Sequence, residues 1–191
     1  MNLRGAERFF LVLILLFVFP SCAQMKSGSS PQAPVQAPAQ AMTQARQHLA
    51  AGDYQKAIDF YKGEYIKQPQ DQVLVREYVK SLEEIKAAAD RSSDREDFAS
   101  AGKTYNILLK NYPDFKGFTH MLSFDRTELN TKLTNCKTAL SRKGFQEYRQ
   151  GNLSEAISLW QGYLTIDPNN ADIRKALNTA KLQQKNLQQT K

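Results

Sequence analysis

Apolar residues recur at helical spacing through the chain beyond residue 40. Positions three and four residues apart fall on one face of an α-helix, so such stripes predict amphipathic helices. One long helix is predicted over residues 71–94, where the stripe consists of Val73, Leu74, Tyr78, Leu82, Ile85 and Ala89. Asp125 and Glu128 stand at capping-box spacing before another stripe, which predicts a helix of about 25 residues running to Gln150. The whole pattern predicts seven helices in one all-α domain.

Polar residues mark the starts of the last two helices. Asn152, followed by Glu155, is predicted to cap the helix that contains Trp160. Asn170 or Asp172 is predicted to start the final helix, which becomes polar toward the C-terminus. Because a terminal helix must close a stack of helices against water, this polar helix is predicted to act as its cap.

One spacing occurs twice with the same four residue types and once in a weaker form. The two full copies are Gly52, Ala57, Tyr61 and Pro69, and Gly151, Ala156, Trp160 and Pro168. The weaker copy keeps Ala101, Tyr105 and Pro113, but Glu96 replaces the glycine. Glycine can adopt positive φ after a helix, alanine lets two helices cross closely, the aromatic residue fills the space beside the crossing, and proline ends the second helix. Each copy therefore predicts a helical hairpin.

These hairpins resemble the tetratricopeptide repeat family, whose units are about 34 residues long. The matching segments are 38–71, 82–115 and 137–170, with Ala45, Ala89 and Gly144 as the small residues of their first helices. The resemblance implies a stack of three hairpins plus a C-terminal capping helix over residues 41–191. The alanines Ala57, Ala101 and Ala156 are 44 and 55 residues apart, so extra helix or loop must lie between the repeats.

The first residues are typical of a secretory signal. Arg4 and Arg8 precede a wholly apolar run at residues 9–19. An 11-residue helix rises about 17 Å, well short of the roughly 30 Å hydrocarbon core of a bilayer, so this run is a poor membrane span. A small residue directly before Cys22 resembles the lipobox of bacterial lipoproteins. The resemblance implies a signal peptide at residues 1–21 and an acylated, palmitate-bearing Cys22. Ordinary secretory cleavage and a retained anchor are the alternatives.

Residues 22–40 are predicted to form a tether after the lipidated cysteine. They are rich in Pro, Ala and Gln and contain almost no large apolar side chains. Such sequence favours extended polyproline geometry at about 3.1 Å per residue, which would hold the folded domain up to roughly 50 Å from a membrane. Ala23 follows the cysteine, and by resemblance to other lipoproteins this favours the outer membrane, facing the periplasm.

The charge of the chain is moderate and mixed in sign. Lys and Arg total 26 and Asp and Glu total 19, a net charge of +7, which becomes +6 once Arg4, Glu7 and Arg8 are removed with the signal. Basic residues alternate with acids, which argues against a nucleic-acid partner. Residues 174–191 are basic without an acid, which is typical of a solvated helix face, with contact to anionic lipid as the alternative. Cys136 is then the one cysteine without an assigned role, and its spacing predicts a small buried residue.

The chain shows no recognisable catalytic, cofactor-binding or metal-binding motif. His48 and His120 are far apart in sequence and have no metal-ligand spacing. The acid pairs at residues 83–84 and 96–97 are adjacent on a helix, and adjacent side chains point about 100° apart. We therefore expect no catalytic residue, cofactor, metal or small-molecule substrate.

Two classes of function remain open from the sequence. The family resemblance implies a protein–protein interaction adaptor or assembly scaffold, with a protein or peptide partner in the cell envelope and a lipid anchor in the membrane. The alternative is a cell-wall-modifying enzyme or accessory factor without a recognisable motif. An enzyme should bring polar side chains together in a pocket, whereas an adaptor should show an open groove.

The candidate partner-binding residues lie on the first helix of the third repeat. Ser141, Phe145 and Tyr148 follow one another at helical spacing, flanked by Arg142 and Arg149. Aromatic and arginine side chains are enriched at protein interfaces. The alternative is that Phe145 and Tyr148 pack on the long helix of repeat two.

Some members of the family clamp a peptide carboxylate with an asparagine. That asparagine is absent here, where the matching residues are Arg46, Asp90 and Phe145. We therefore expect recognition by apolar and aromatic contact.

Overall fold

A computed structural model of the chain describes residues 36–189. Within this range the chain forms seven α-helices, two short 3₁₀ turns and no strand, so the all-α fold is confirmed. The helices are α1 Gln36–Ala50, α2 Tyr54–Lys67, α3 Gln72–Asp94, α4 Phe98–Asn111, α5 Arg126–Arg149, α6 Leu153–Ile166 and α7 Ala171–Gln189. Helices α1 and α2, α3 and α4, and α5 and α6 pack as three hairpins, and α7 packs on α6. The predicted signal peptide and Cys22 lie outside the described residues.

The three hairpin turns share one backbone geometry. Gly52 has a φ of 77° and Gly151 a φ of 81°, and Glu96, which replaces the glycine in the middle hairpin, has a φ of 60°. In each turn the next amide donates to the carbonyl five residues earlier, as from Asp53 to His48 at 2.8 Å. This is the Schellman termination, which needs a residue in the left-handed region. The predicted role of the turn glycines is confirmed, and Glu96 adopts the same conformation at a steric cost.

The residues that repeat in sequence form the core of each hairpin. Ala57, Ala101 and Ala156 are fully buried, as are the repeat aromatics Tyr61, Tyr105 and Trp160. Where the first helix of the third hairpin crosses its partner, Gly144 has no Cβ, and one placed there would lie 2.7 Å from Cδ1 of Trp160. The small residue therefore makes room for the largest aromatic side chain.

The extra length between the repeats lies in two long helices and a packed connector. Asp71 caps α3 by accepting from the amides of Val73 and Leu74 at 2.9 and 3.1 Å, and Asp125 caps α5. The connector runs over residues 112–125 and contains 3₁₀ turns at Tyr112–Phe115 and Thr119–Met121. Its three phenylalanines are buried: Phe115, Phe118 and Phe124. Phe118 lies 5.1 Å from Tyr78 of α3 between ring centroids, so this apolar connector packs back onto the second hairpin.

One predicted boundary and one predicted cap contact are wrong. The tether was predicted to extend to residue 40, but α1 begins at Gln36. Pro38 fits there because the first amides of a helix have no intrahelical acceptor. Asn152 does not cap α6 with its side chain. Its Nδ2 donates instead to Glu147 Oε2 at 2.7 Å across the turn. The start of α7 is as predicted, since Asn170 Oδ1 accepts from the Ile173 amide at 3.0 Å.

Candidate functional site

A hollow of about 280 Å³ lies where the third hairpin meets the last helix. We call it the C-terminal groove. Helix α5 contributes Phe145 and Tyr148, α6 contributes Trp160, and α7 contributes Asp172, Lys175, Ala176 and Thr179. Helix α5 is the first helix of the third hairpin, and α7 is the helix that follows that hairpin. The groove thus lies on the face of the stack formed by first helices.

Three aromatic rings give the C-terminal groove its apolar character. The ring of Phe145 meets Trp160 edge to face, with centroids 5.0 Å apart and planes at 66°. Tyr148 lies 5.7 Å from the same indole. Trp160 is 1% exposed and forms the floor, whereas Phe145 is 40% exposed and forms a wall. Edge-to-face packing of this kind fixes ring positions, so the apolar surface is preformed.

The predicted stripe on α5 divides between two neighbouring hollows. Phe145 and Tyr148 line the C-terminal groove, while Ser141 and Arg142 line a hollow of about 440 Å³ beside Tyr163 of α6. Arg149 is exposed at the end of α5. The ring contacts of Phe145 and Tyr148 are to Trp160 of their own hairpin, and not to α3 as the packing alternative supposed.

The residues that α7 contributes were not predicted from the sequence. Lys175, Ala176 and Thr179 line the groove opposite Phe145. Their distance in sequence from the repeat proline could have identified them. The helix that follows a repeat proline occupies the first-helix position of the next unit. Ala176 and Thr179 lie eight and eleven residues after Pro168, and this register identifies them as groove residues.

The equivalent position in the first hairpin carries a charge. Arg46 and Phe145 both lie six residues before their turn glycine, and Glu77 and Ala176 both lie eight residues after their repeat proline. Arg46 Nη2 donates to Glu77 Oε2 at 2.6 Å. These residues line a second hollow of about 280 Å³, the N-terminal groove, with Leu49, Ala50, Tyr54, Lys80, Ser81, Glu84, Ala88 and Arg91. Here an ion pair bridges the same gap that Phe145 and Ala176 leave open.

The middle hairpin uses the same position for another ionic contact. Asp90 lies six residues before Glu96 and accepts from Lys86 at 3.0 Å, Lys132 at 3.1 Å and the Tyr105 hydroxyl at 2.5 Å. Burial alone would raise the pKa of Asp90, but these three hydrogen bonds hold it below its ordinary value. Because Lys132 belongs to α5 and Lys86 also pairs with Glu128 at 3.1 Å, this network ties the second hairpin to the third.

Cys136 and His48 do not line the C-terminal groove. Cys136 is a buried free thiol, and burial raises its pKa to about 11 despite the nearby Lys132 cation. Within residues 40–189, no group of three His, Cys, Asp or Glu side chains has the geometry of a metal site. His48 stacks on Phe60 with ring centroids 5.4 Å apart. None of the helices in the described range combines the length and apolar character needed to span a bilayer.

Comparison with known proteins does not assign the chain to a family. No protein-family model matches it, and no curated protein sequence matches it significantly.

Proposed function

We propose that the protein is an envelope adaptor of the tetratricopeptide repeat type, which binds a segment of a partner protein in its C-terminal groove. The observation that supports this proposal is a difference at the repeat position six residues before each hairpin turn. Arg46 and Asp90 form ion pairs that bridge neighbouring first helices, whereas Phe145 leaves an open apolar hollow floored by Trp160. Preformed aromatic surface at a concave site is a common basis for protein recognition.

The exposure of Phe145 has no evident structural purpose. A side chain that only stabilises its hairpin would be more favourable if it were fully buried, since apolar burial contributes about 25 cal/mol per Å². Phe145 contacts Trp160 with one edge and leaves 40% of its surface in water. A partner side chain in the groove would cover that surface, and the covered area would favour binding.

A crosslinking experiment tests the groove as the partner site. A photoreactive phenylalanine analogue at position 145 or 179 should crosslink to a discrete envelope protein, because both positions line the groove. The same analogue at Ile66, which is 68% exposed on α2, should not. Equal crosslinking from position 66 would contradict the proposal.

Two substitutions separate a binding role from a packing role on α5. Tyr148→Ala and Arg149→Ala are compared with the parent in melting temperature and in capture of the crosslinked partner. Loss of capture with unchanged melting supports a binding surface. Capture that follows the folded fraction shows that these side chains serve the core.

We further propose that Cys22 anchors the mature protein in the outer membrane through its acyl chains. The support is the apolar run at residues 9–19 that ends at Ser21 and Cys22. Two or more acyl chains give stable membrane attachment, where one chain alone is marginal. The test is detergent-phase partitioning of the Cys22→Ser variant after signal cleavage. Because this variant lacks the acyl chains, it should partition into the aqueous phase. Retention in the detergent phase would refute acylation at this residue.

A further inference from the structure

Two cations beside the C-terminal groove form no ion pair with a carboxylate among residues 40–189. Lys175 lines the groove, and Arg149 lies four residues after Phe145 on the same face of α5. Arg142 lines the adjoining hollow and interacts electrostatically with Glu96. Asp172 is the acid among the groove-lining residues. Lys175, Arg149 and Asp172 together leave the rim with a net positive charge.

The N-terminal groove differs in this respect. Its Arg46 is paired with Glu77 at 2.6 Å, and its Lys80 lies 4.0 Å from Glu84. Two of its cations are thus compensated within the chain. Arg91, which also lines this groove, forms no ion pair among the described residues, so the contrast between the grooves lies in the Arg46–Glu77 bridge.

We propose that the occupant of the C-terminal groove is an acidic amphipathic segment of another protein. This inference rests on the proposed adaptor function and adds the chemistry of the partner. One large apolar side chain of the segment enters between Phe145 and Ala176 over Trp160, and its carboxylates face Lys175 and Arg149. A hollow of about 280 Å³ has room for a large apolar side chain.

Charge argues against two candidate occupants of the C-terminal groove, the tether of this chain and a second copy of it. The tether residues 23–35 contain Lys26 and no acid, so they cannot complement a basic rim. A second copy of the mature chain carries a net charge of +6 and presents the same cations, Lys175 and Arg149. Complementary charge speeds association and suppresses wrong partners, which favours an acidic segment from another protein.

The probe is a synthetic helix-forming peptide of roughly 15 residues with leucines at i, i+3, i+4 and i+7 spacing and glutamates on its other face. Its counterpart has lysine in place of every glutamate. Trp160 is the one tryptophan of the chain and floors the groove, so its emission reports occupancy directly. We expect the acidic peptide to bind at least about tenfold more tightly than the basic one. Its affinity should fall between about 50 and 300 mM salt.

Charge reversal locates the contact. The double variant Arg149→Glu with Lys175→Glu should lose about tenfold in affinity for the acidic peptide and should prefer the basic peptide. Lys181→Glu is the matched control, because it reverses an exposed charge on α7 outside the groove. Circular dichroism melting establishes that all variants are folded. An equal loss in Lys181→Glu, or the same affinity for both peptides, would overturn the proposal.

Vesicles containing phosphatidylglycerol test a lipid surface as the alternative ligand of the basic rim. An emission change of Trp160 with vesicles and not with the acidic peptide would assign the basic rim to lipid and overturn the proposal. If neither peptide binds while position 145 still crosslinks to a partner, the acidic chemistry is wrong and the adaptor function stands. If position 145 fails to crosslink as well, the adaptor function also fails.

Discussion

The N-terminal and C-terminal grooves occupy the same place in the repeat and have the same volume of about 280 Å³, yet they differ in character. In the first, Arg46 and Glu77 form a charged bridge. In the second, the equivalent Phe145 and Ala176 leave an apolar gap. Exposed ion pairs contribute at most about 1 kcal/mol, so the bridge adds little stability. The difference therefore concerns what each groove presents to a partner more than how the stack is held together.

The largest expected effect comes from the floor of the C-terminal groove. In Gly144→Ala, the new Cβ would lie 2.7 Å from Cδ1 and 2.9 Å from Cε2 of Trp160. Overpacking of a buried site costs about 1–3 kcal/mol, and we expect the upper part of this range because the indole is enclosed. Urea unfolding gives the free energy of unfolding, and Trp160 emission reports any displacement of its indole.

Gly63→Ala is the matched control for this substitution. A Cβ at Gly63 in α2 would meet nothing within 4 Å. Alanine is favoured over glycine inside a helix by about 0.5–1 kcal/mol, so this variant should be more stable than the parent. A Gly144→Ala variant as stable as the parent, or more stable, would contradict the expected clash with Trp160.

The next effect concerns the ionic network between the two grooves. Asp90→Asn removes the charge that Lys86, Lys132 and Tyr105 surround, and we expect a loss of about 1–2 kcal/mol near pH 7. Because the folded-state pKa of Asp90 is lowered, its contribution is present above its unfolded value of about 3.9. The contribution is lost as the pH falls through the folded-state pKa.

The measurement is the difference in unfolding free energy between parent and variant as a function of pH. This difference should shrink below about pH 4. Glu84→Gln serves as the control, because its exposed pairing with Lys80 at 4.0 Å should be worth little at any pH. A difference that stays constant at low pH would contradict the role given to Asp90.

A smaller effect is expected at the turns that follow the groove helices. A Cβ on Gly151 would meet nothing within 4 Å, so Gly151→Ala should cost only the backbone penalty of positive φ, about 1 kcal/mol. Glu96→Gly should act in the opposite sense, because it relieves the same penalty in the middle turn. Thermal melting compares the two. Destabilisation by Glu96→Gly would mean that the ion pair of Glu96 with Lys143 outweighs the backbone strain.

The smallest effect is expected at the bridge of the N-terminal groove. Arg46 is largely exposed, so Arg46→Ala should change stability by about 0.5 kcal/mol or less. Urea unfolding measures the loss of unfolding free energy in this variant, for comparison with the loss in Gly144→Ala. A loss comparable to that of Gly144→Ala would show that the ion pair, and not the buried core, holds the first two hairpins together.

The sequence predicted the repeat framework because its signals are local. Glycine at positive φ, a buried alanine and an aromatic residue at fixed spacing each depend on a few neighbouring residues, and all recur in the structure. Asn152 was misjudged because its side chain has two nearby options. Its donation to Glu147 prevailed over the α6 amides. The local sequence pattern does not show which of these two side-chain contacts is more favourable.

The site was only partly predictable because a groove joins residues distant in sequence. The stripe on α5 identified Phe145 and Tyr148, but spacing alone could not show that Ser141 faces a different hollow. The contributions of Lys175 and Ala176 depend on how α7 packs. The bridge between Arg46 and Glu77 joins side chains 31 residues apart, and only the repeat register relates it to Phe145.

The buried thiol of Cys136 gives access to the opening motions of the stack. It lies against α4, where a Cβ on Gly102 would be 3.2 Å from the Cβ of Cys136. With its pKa raised to about 11, the thiol holds almost no thiolate near neutral pH while it is enclosed. A thiol reagent can therefore react only when α4 and α5 separate or the domain unfolds. The rate of labelling at this sulfur consequently measures how often the second and third hairpins part from each other or the domain unfolds.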